Sequence, residues 1–217
     1  MRWFLVLLLF TAGWAELPAD LDIPNLRVVK DRIREYYDSG RQRHEVELVC
    51  ERAARYLEAN QQRFQGKRPA LVLDIDETAL SNYPHLLEVD FAYLPQAWRA
   101  WVDLGQAPAL PGVLQLYRRA RQLNFHVIFL TGRAEHQRAI TEANLRGAGY
   151  EAWELLLLKP NDSKLTTHAF KVGERRRLLE QGYQIVANVG DQPGDLEGGY
   201  SDSVYKIPNP LYYLPFE

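Results

Sequence analysis

The spacing of hydrophobic positions changes character near residue 70. From 26 to 64, "LRVVKDRIREYYDSGRQRHEVELVCERAARYLEANQQRF", apolar residues recur three and four apart, as at Val46, Val49, Ala53 and Leu57, which predicts helix. Ser39-Gly40 breaks the stretch into two helices. After the polar stretch "QQRFQGKRP" comes "ALVLD", a short apolar run without alternation, the mark of a strand covered on both faces. "FHVIFLTG" (125–132), "WELLLL" (153–158) and "YQIVANVGD" (183–191) read the same way, and "SVYKIP" (203–208) is a short fifth strand. Helical segments lie between them: "PGVLQLYRRARQLN", "AEHQRAITEANLRGAGY" with helix stops at Gly147 and Gly149, and "AFKVGERRRLLEQGY". Strands alternating with helices predict an α/β fold with a mostly parallel sheet.

One segment interrupts the alternation. Residues 79–110, "ALSNYPHLLEVDFAYLPQAWRAWVDLGQAPAL", are aromatic-rich and too long for an ordinary strand-to-helix loop. They read as an insertion at the C-terminal end of the first strand, helical around 95–104. With the N-terminal helices the insertion makes a small helical cap. The expected organisation is a signal peptide over 1–15, an N-terminal helical region over 16–65 and a core over 66–217 that carries the insertion.

Composition refines this picture only at the N-terminus. The 217 residues are 47% hydrophobic and 25% charged, ordinary for a globular chain, and the net charge of -2 gives no footing for a nucleic-acid polymer or an anionic membrane. "MRWFLVLLLFTAGWAELPAD" combines a positive start, an apolar run and small residues at Gly13 and Ala15, which predicts a secretory signal cleaved after Ala15. Pro18 and Asp20 come too early for a spanning helix of roughly 20 apolar residues. Cys50 is the single cysteine, so no internal disulfide and no N-terminal lipid anchor is expected. It reads as a small hydrophobe on an inner helix face. The expected location is secreted or periplasmic.

The candidate chemistry lies where the apolar runs end. In open parallel sheets, ligands bind beyond the carboxyl ends of the strands. Asp74 and Asp76 follow the first run, Thr131 ends the second, and Asp191 and Asp195 follow the run from 183. Carboxylates gathered at one edge repel unless a hard cation sits among them, and Mg²⁺ takes oxygen ligands together with substrate phosphate. There is no histidine or cysteine cluster for zinc. Thr131 and a lysine suit a bound phosphate, and Asp74 and Asp76 divide the roles of nucleophile and proton donor.

These stretches resemble the haloacid dehalogenase superfamily, phosphatase branch. "DIDET" matches its DxDxT motif, and "VIFLTGR" looks like its second motif. "FKVGERRRLLEQGY" resembles its third, and "NVGDQPGD" its fourth, in order over roughly residues 66 to 210. The "DET" ending, the helical N-terminal region and the tail "VYKIPNPLYYLP" are similar to subfamily IIIB, the bacterial class C acid phosphatases with the plant acid phosphatases and vegetative storage proteins. The resemblance implies a Rossmannoid sheet flanked by helices, a small cap, Mg²⁺, and hydrolysis of small phosphomonoesters through an aspartyl-phosphate. It makes Asp74 the nucleophile and Asp76 the acid and then base. Thr131 and Lys171 hold the phosphoryl group. Asp74, Asp191 and the backbone carbonyl of Asp76 ligate the metal, with Asp195 in support.

Several alternatives accompany these assignments. Lys159, at the end of "ELLLLK", competes with Lys171. Asp195 in "PGD" also fits a turn. Tyr83, Phe91, Tyr93, Trp98 and Trp101 read mainly as cap core, while Tyr212, after "PN" in the tail, is a candidate substrate contact by stacking. "RRR" at 175–177 reads as a solvated helix face. A non-catalytic storage or phosphate-ligand-binding protein on the same fold is the competing function.

Overall fold

The computed structural model describes residues 23–64 and 66–215, so the expected signal segment lies outside the described residues. Five strands form one parallel sheet: β1 (Arg68–Leu73), β2 (His126–Ala134), β3 (Leu155–Lys159), β4 (Tyr183–Gly190) and β5 (Ser203–Lys206), in the order β3-β2-β1-β4-β5. The helices are α1 (Leu26–Asp38), α2 (Arg41–Asn60), α3 (Tyr83–Glu88), α4 (Pro95–Leu104), α5 (Pro111–Gln122), α6 (Arg138–Gly147), α7 (Thr167–Glu180) and α8 (Pro193–Leu196). The chain runs outward from β1 through β2 to β3, then returns to the other side of β1 to make β4 and β5. That reversal opens a crevice beyond the ends of β1 and β4, where ligands bind in such sheets.

The unbroken apolar runs are explained by two cores. In β1, Leu71 and Leu73 enter the core beneath α2 and α5, while Ala70 and Val72 enter a second core against Phe170 and Leu178 of α7. Successive side chains point to opposite faces, so a strand covered on both sides has no polar position to spare. In β4 the register against β1 shifts between Ala70 and Leu71, whose partners are Ile185 and Ala187, leaving Val186 as the extra residue of a bulge. One extra residue exchanges the faces of everything that follows. Ile185 lies in the α7-side core, but Ala187 and Val189 lie in the α2-side core.

The N-terminal helices behave differently from each other. α2 buries Val46, Val49, Cys50, Ala53 and Leu57 as a stripe in the main core, so it is a layer of the sheet sandwich. α1 has no buried residue and docks instead on the inserted segment. Tyr37 stacks on Tyr83 with centroids 3.8 Å apart, and Lys30 and Arg34 donate to Asp90 at 2.6 and 2.7 Å. Between the helices Gly40 adopts φ 77°, a left-handed turn that costs glycine little.

The insertion leaves and re-enters the core at adjacent points. Leu80 bridges Ala109, the Ser81 N–H donates to Pro108 O at 2.8 Å, and the Leu110 N–H donates to Ala79 O at 3.1 Å. Inside the excursion, His85 stacks on Trp101 at 5.5 Å.

Arg175 corrects the reading of "RRR" as a solvated face. Arg176 and Arg177 are exposed and pair along the helix with Glu180 and Glu174, but Arg175 is fully buried. Its guanidinium donates to the carbonyls of Asp195, Glu197 and Gly199, tying the loop after α8 to α7. Helical period alone would have placed it by its neighbours; the loop whose three carbonyls take its donors lies twenty residues and more away. Replacing Arg175 with Met should destabilise the protein by about 3 kcal/mol, since buried carbonyls lose charged donors, while Arg176→Ala should leave the urea midpoint unchanged. Equal midpoints for the two variants would refute the anchoring role.

Candidate active site

The sequence-predicted polar residues meet in the crevice at the switch point. Asp74 follows β1 directly, and its N–H donates to Val189 O of β4 at 3.0 Å. Asp191 follows β4, Thr131 sits in the irregular end of β2, Asp195 comes from α8, and Lys171 rises from α7. The start of α7 is fixed by Thr166, whose hydroxyl oxygen accepts the Ala169 N–H at 3.1 Å. Asp74, Asp76, Thr131, Lys171, Asp191, Asp195 and Tyr212 all line one cavity of about 760 Å³. Lys159 is not among the residues that line it.

Charge dominates the arrangement. The buried Lys171 ammonium donates to Asp74 Oδ1 and, at 2.5 Å, to Asp195 Oδ1. Burial lowers its proton affinity, but Asp195 and then Asp74 more than offset this and hold the lysine charged. Asp195 comes this close because residue 190 is glycine: a Cβ there would lie 2.4 Å from the Asp195 Cβ. The second oxygen of Asp195 accepts the Gln192 N–H at 2.9 Å. Asp191 accepts from Asn209 Nδ2 at 2.7 Å, Gln192 Nε2 at 2.5 Å and the Thr78 hydroxyl at 3.3 Å.

Lys171 cannot balance its neighbours. Burial raises the pKa of Asp74; Lys171 pulls it back, and the charges of Asp195, Asp191 and Asp76 push it up again, leaving it well above the carboxylate range. Asp191 is raised by burial and by Asp195. Carboxylate oxygens of Asp74, Asp191 and Asp195 lie within 4.8 Å of one another, and no histidine or cysteine joins them. An all-oxygen donor set with surplus negative charge fits a hard divalent cation.

Asp76 is held differently. Arg133 grips it with two bonds, Nη2 to Oδ1 at 2.7 Å and Nε to Oδ2 at 3.0 Å, and Asn82 Nδ2 adds a third at 3.0 Å. Burial pushes its pKa up, but the charge and hydrogen bonds of Arg133 win, and it falls below its usual value. Thr131 Oγ1 accepts the Arg133 N–H at 3.1 Å.

Sequence reasoning missed Arg133, Glu77, Asn82, Gln192 and Asn209. For Arg133 a signal existed: a cation two residues beyond Thr131 at an edge carrying paired aspartates. Glu77 was visible only as the middle of "DET". It is buried, has φ 56°, and accepts from the backbone and side chain of Asn82 and from the Tyr212 hydroxyl. Burial and the adjacent Asp76 raise its pKa to about 7 against the pull of those donors. Of the aromatics, Phe91, Tyr93, Trp98, Tyr212 and Tyr213 line the cavity, whereas Tyr83 and Trp101 are spent on packing.

Comparison with known proteins agrees with the fold. Residues 19–215 match the family described as HAD superfamily, subfamily IIIB (acid phosphatase). The stem 28 kDa glycoprotein of Glycine max is 38% identical over 191 residues, 83% of this chain and 73% of its own. Acid phosphatase 1 of Solanum lycopersicum is 35% identical over 189 residues, 85% of this chain and 74% of its own. The class C acid phosphatase from Bacillus anthracis shares the fold with a TM-score of 0.72 at 24% identity, over 87% of each chain.

The raised carboxyl groups set a pH dependence for the metal-free protein. The folded state keeps Glu77 protonated up to about 7, and Asp74 and Asp191 also hold protons that the unfolded chain releases in the ordinary carboxylate range. Folding therefore takes up protons in that window, and stability falls as pH rises through it. Asp76, shifted down, acts only below the window. In EDTA the Tm should drop between about pH 5 and pH 7.5, and a divalent cation should flatten the drop. A flat or rising Tm in EDTA would contradict the assignment.

Proposed function

We propose that the chain, which belongs to the haloacid dehalogenase superfamily, subfamily IIIB, the acid phosphatases, hydrolyses small phosphomonoesters through an aspartyl-phosphate with Mg²⁺ as its cation. It is a phosphomonoesterase. The observation that carries the mechanism is the meeting of Asp74, Asp76, Thr131, Lys171 and Asp191 around one cavity, on four separate segments of the chain. A storage or phosphate-ligand-binding protein has no need of a nucleophile and a second carboxylate two residues on.

The roles follow from position. Asp74 lies at the bottom of the crevice, its Oδ1 fixed by Lys171, and its carboxylate attacks phosphorus while the bond to the leaving oxygen breaks. Thr131 and Lys171 bind the non-bridging oxygens. Asp76 gives its proton to the leaving oxygen, then takes one from the water that cleaves the aspartyl-phosphate and frees inorganic phosphate. In the arrangement described, both Asp76 oxygens already accept hydrogen bonds. To carry a proton it must release one oxygen from Arg133. Asp74, Asp191 and Asp195, with the Asp76 carbonyl, are the groups that would hold the cation, which supplies the positive charge that lets a carboxylate approach a phosphate dianion.

The cavity walls favour a flat, apolar leaving group. Phe91, Tyr93 and Trp98 come from one side and Tyr212, Tyr213 and Leu214 from the tail, which suits aryl phosphates and nucleoside monophosphates. Export belongs to the same proposal, and no helix among the described residues is long and apolar enough to cross a membrane.

Asp74→Asn should lower kcat for p-nitrophenyl phosphate by at least about 10³-fold. Asp76→Asn should slow an alkyl phosphate much more than p-nitrophenyl phosphate, whose phenolate leaves without a proton. EDTA should abolish turnover and Mg²⁺ restore it. Undiminished turnover by Asp74→Asn would remove the nucleophile, and equal losses on both esters would remove Asp76 as the acid. N-terminal sequencing of the secreted protein should read from Glu16.

A further inference from the structure

Glu77 is the one carboxylate of the cluster for which the proposed reaction has no use. It is also among the most heavily bonded. Oε1 accepts the Asn82 N–H at 2.5 Å, and Oε2 accepts Asn82 Nδ2 at 3.0 Å and the Tyr212 hydroxyl at 2.6 Å. The same Asn82 amide reaches Asp76 Oδ1 at 3.0 Å, while its oxygen accepts the Trp101 indole N–H at 2.7 Å. The C-terminal tail, 135 residues away, therefore meets the loop after β1 and the base of the insertion on one side chain.

The tail has little else to hold it. Residues 207–215 carry no helix or strand. Beyond Ile207, which is buried in the main core and donates its N–H to Gly190 O at 2.8 Å, and the Tyr212 hydroxyl, they are tied by the Asn209 bond to Asp191 and by Gln192, whose side chain accepts the Leu214 N–H at 2.9 Å and donates to Tyr212 O at 3.4 Å. Yet Leu211, Tyr212, Tyr213, Leu214 and Pro215 of the tail line the cavity, as do Leu86, Phe91, Tyr93 and Trp98 of the insertion. The Tyr212–Glu77–Asn82–Trp101 chain of hydrogen bonds is a cross-tie between the two segments. Burial and the nearby Glu77 raise the Tyr212 pKa, which keeps its hydroxyl a donor.

We propose that Glu77 is a positioning residue that latches the C-terminal tail to the base of the insertion and thereby sets the spacing of the walls that grip the leaving group. It is not among the residues that line the cavity, so its effect falls on the tail and insertion residues that do. The kinetic side of this inference rests on the phosphatase reading; the structural side does not.

The test uses the full chain and two variants. Tyr212→Phe removes one hydroxyl and keeps the ring. Glu77→Gln keeps the shape but replaces an acceptor oxygen with an NH₂ facing donors. Hydrogen exchange at the Leu211 and Leu214 amides should quicken by at least about tenfold in both variants, with amides of β1 unchanged. KM for p-nitrophenyl phosphate should rise roughly three- to tenfold in Tyr212→Phe, while Ki for inorganic phosphate, which fills only the phosphoryl site, moves less than about twofold. Unaltered exchange at Leu211 and Leu214 in Tyr212→Phe would overturn the latch. So would a KM and a phosphate Ki that rise together. A parent protein with no turnover would sink the phosphatase reading alone, since the exchange measurement still decides the latch.

Discussion

A single ammonium group, that of Lys171, lies buried between Asp74 and Asp195, and much of the surrounding construction serves to keep it there. Glycine at 190 clears the space into which Asp195 turns. Arg175, buried beneath, holds the loop that carries Asp195 by its carbonyls. Asn188, which follows the bulge in β4, donates to the Asp195 carbonyl at 2.8 Å. The lysine is outnumbered all the same. Among the described residues, the carboxylates of Asp74, Asp76, Glu77, Asp191 and Asp195 form ion pairs with two cations, Lys171 with Asp74 and Asp195 and Arg133 with Asp76, while Glu77 and Asp191 have none. A fold that gathers this much like charge away from water is stable only with protons or a cation on it. The same deficit that makes the site costly to build suits it to a hard divalent cation.

The chemistry and its enclosure are built from different material. Asp74, Thr131 and Asp191 stand at the ends of central strands, where the sheet fixes them to their neighbours. The walls come from an excursion, a tail and a helix that docks on the excursion. Left-handed backbone at Glu77, Asp90 and Phe91, each with φ between 49° and 60°, occurs at the joints of these outer parts. Such conformations cost of order 1 kcal/mol each outside glycine. Here they are held by side chains: Glu77 by Asn82 and Tyr212, Asp90 by Lys30 and Arg34, Phe91 by the Arg34 guanidinium 5.1 Å from its ring.

The sheet was legible because strands buried on both faces leave an unmistakable run of apolar residues, and three of those runs, ending at Asp74, Thr131 and Asp191, reach the working edge. The helix over 95–104 was legible from Pro95 and the spacing that follows. Less could be read where a side chain's role is decided by a partner remote in sequence. Arg175 sits in a run of three arginines whose other two are solvent-facing, and only the fold reveals the loop it serves. Arg133 and Asn82 acquire meaning from Asp76, 57 and 6 residues away, and Tyr212 from Glu77, 135 residues away. Periodicity describes an element's relation to the core, and it carries no information about pairings across the edge of the sheet. The bulge at Val186 was hidden for the same reason, since an apolar run reads alike whether or not one residue is extra.

The insertion departs and returns through neighbouring residues, Leu80 and Ala109, that bridge each other and close its base. An excursion with a sealed stem behaves like a branch on the trunk. Its outer part can be rewritten without shifting the strand that carries Asp74, because the closed stem keeps Asn82 and Ala107 on their core partners. Selection on what the protein binds and selection on how it reacts thus act on separable stretches of one gene. Loop exchange at 83–100, which leaves Asn82 and Trp101 in place, is the natural route by which such a scaffold would acquire a new clientele while its reaction stays the same.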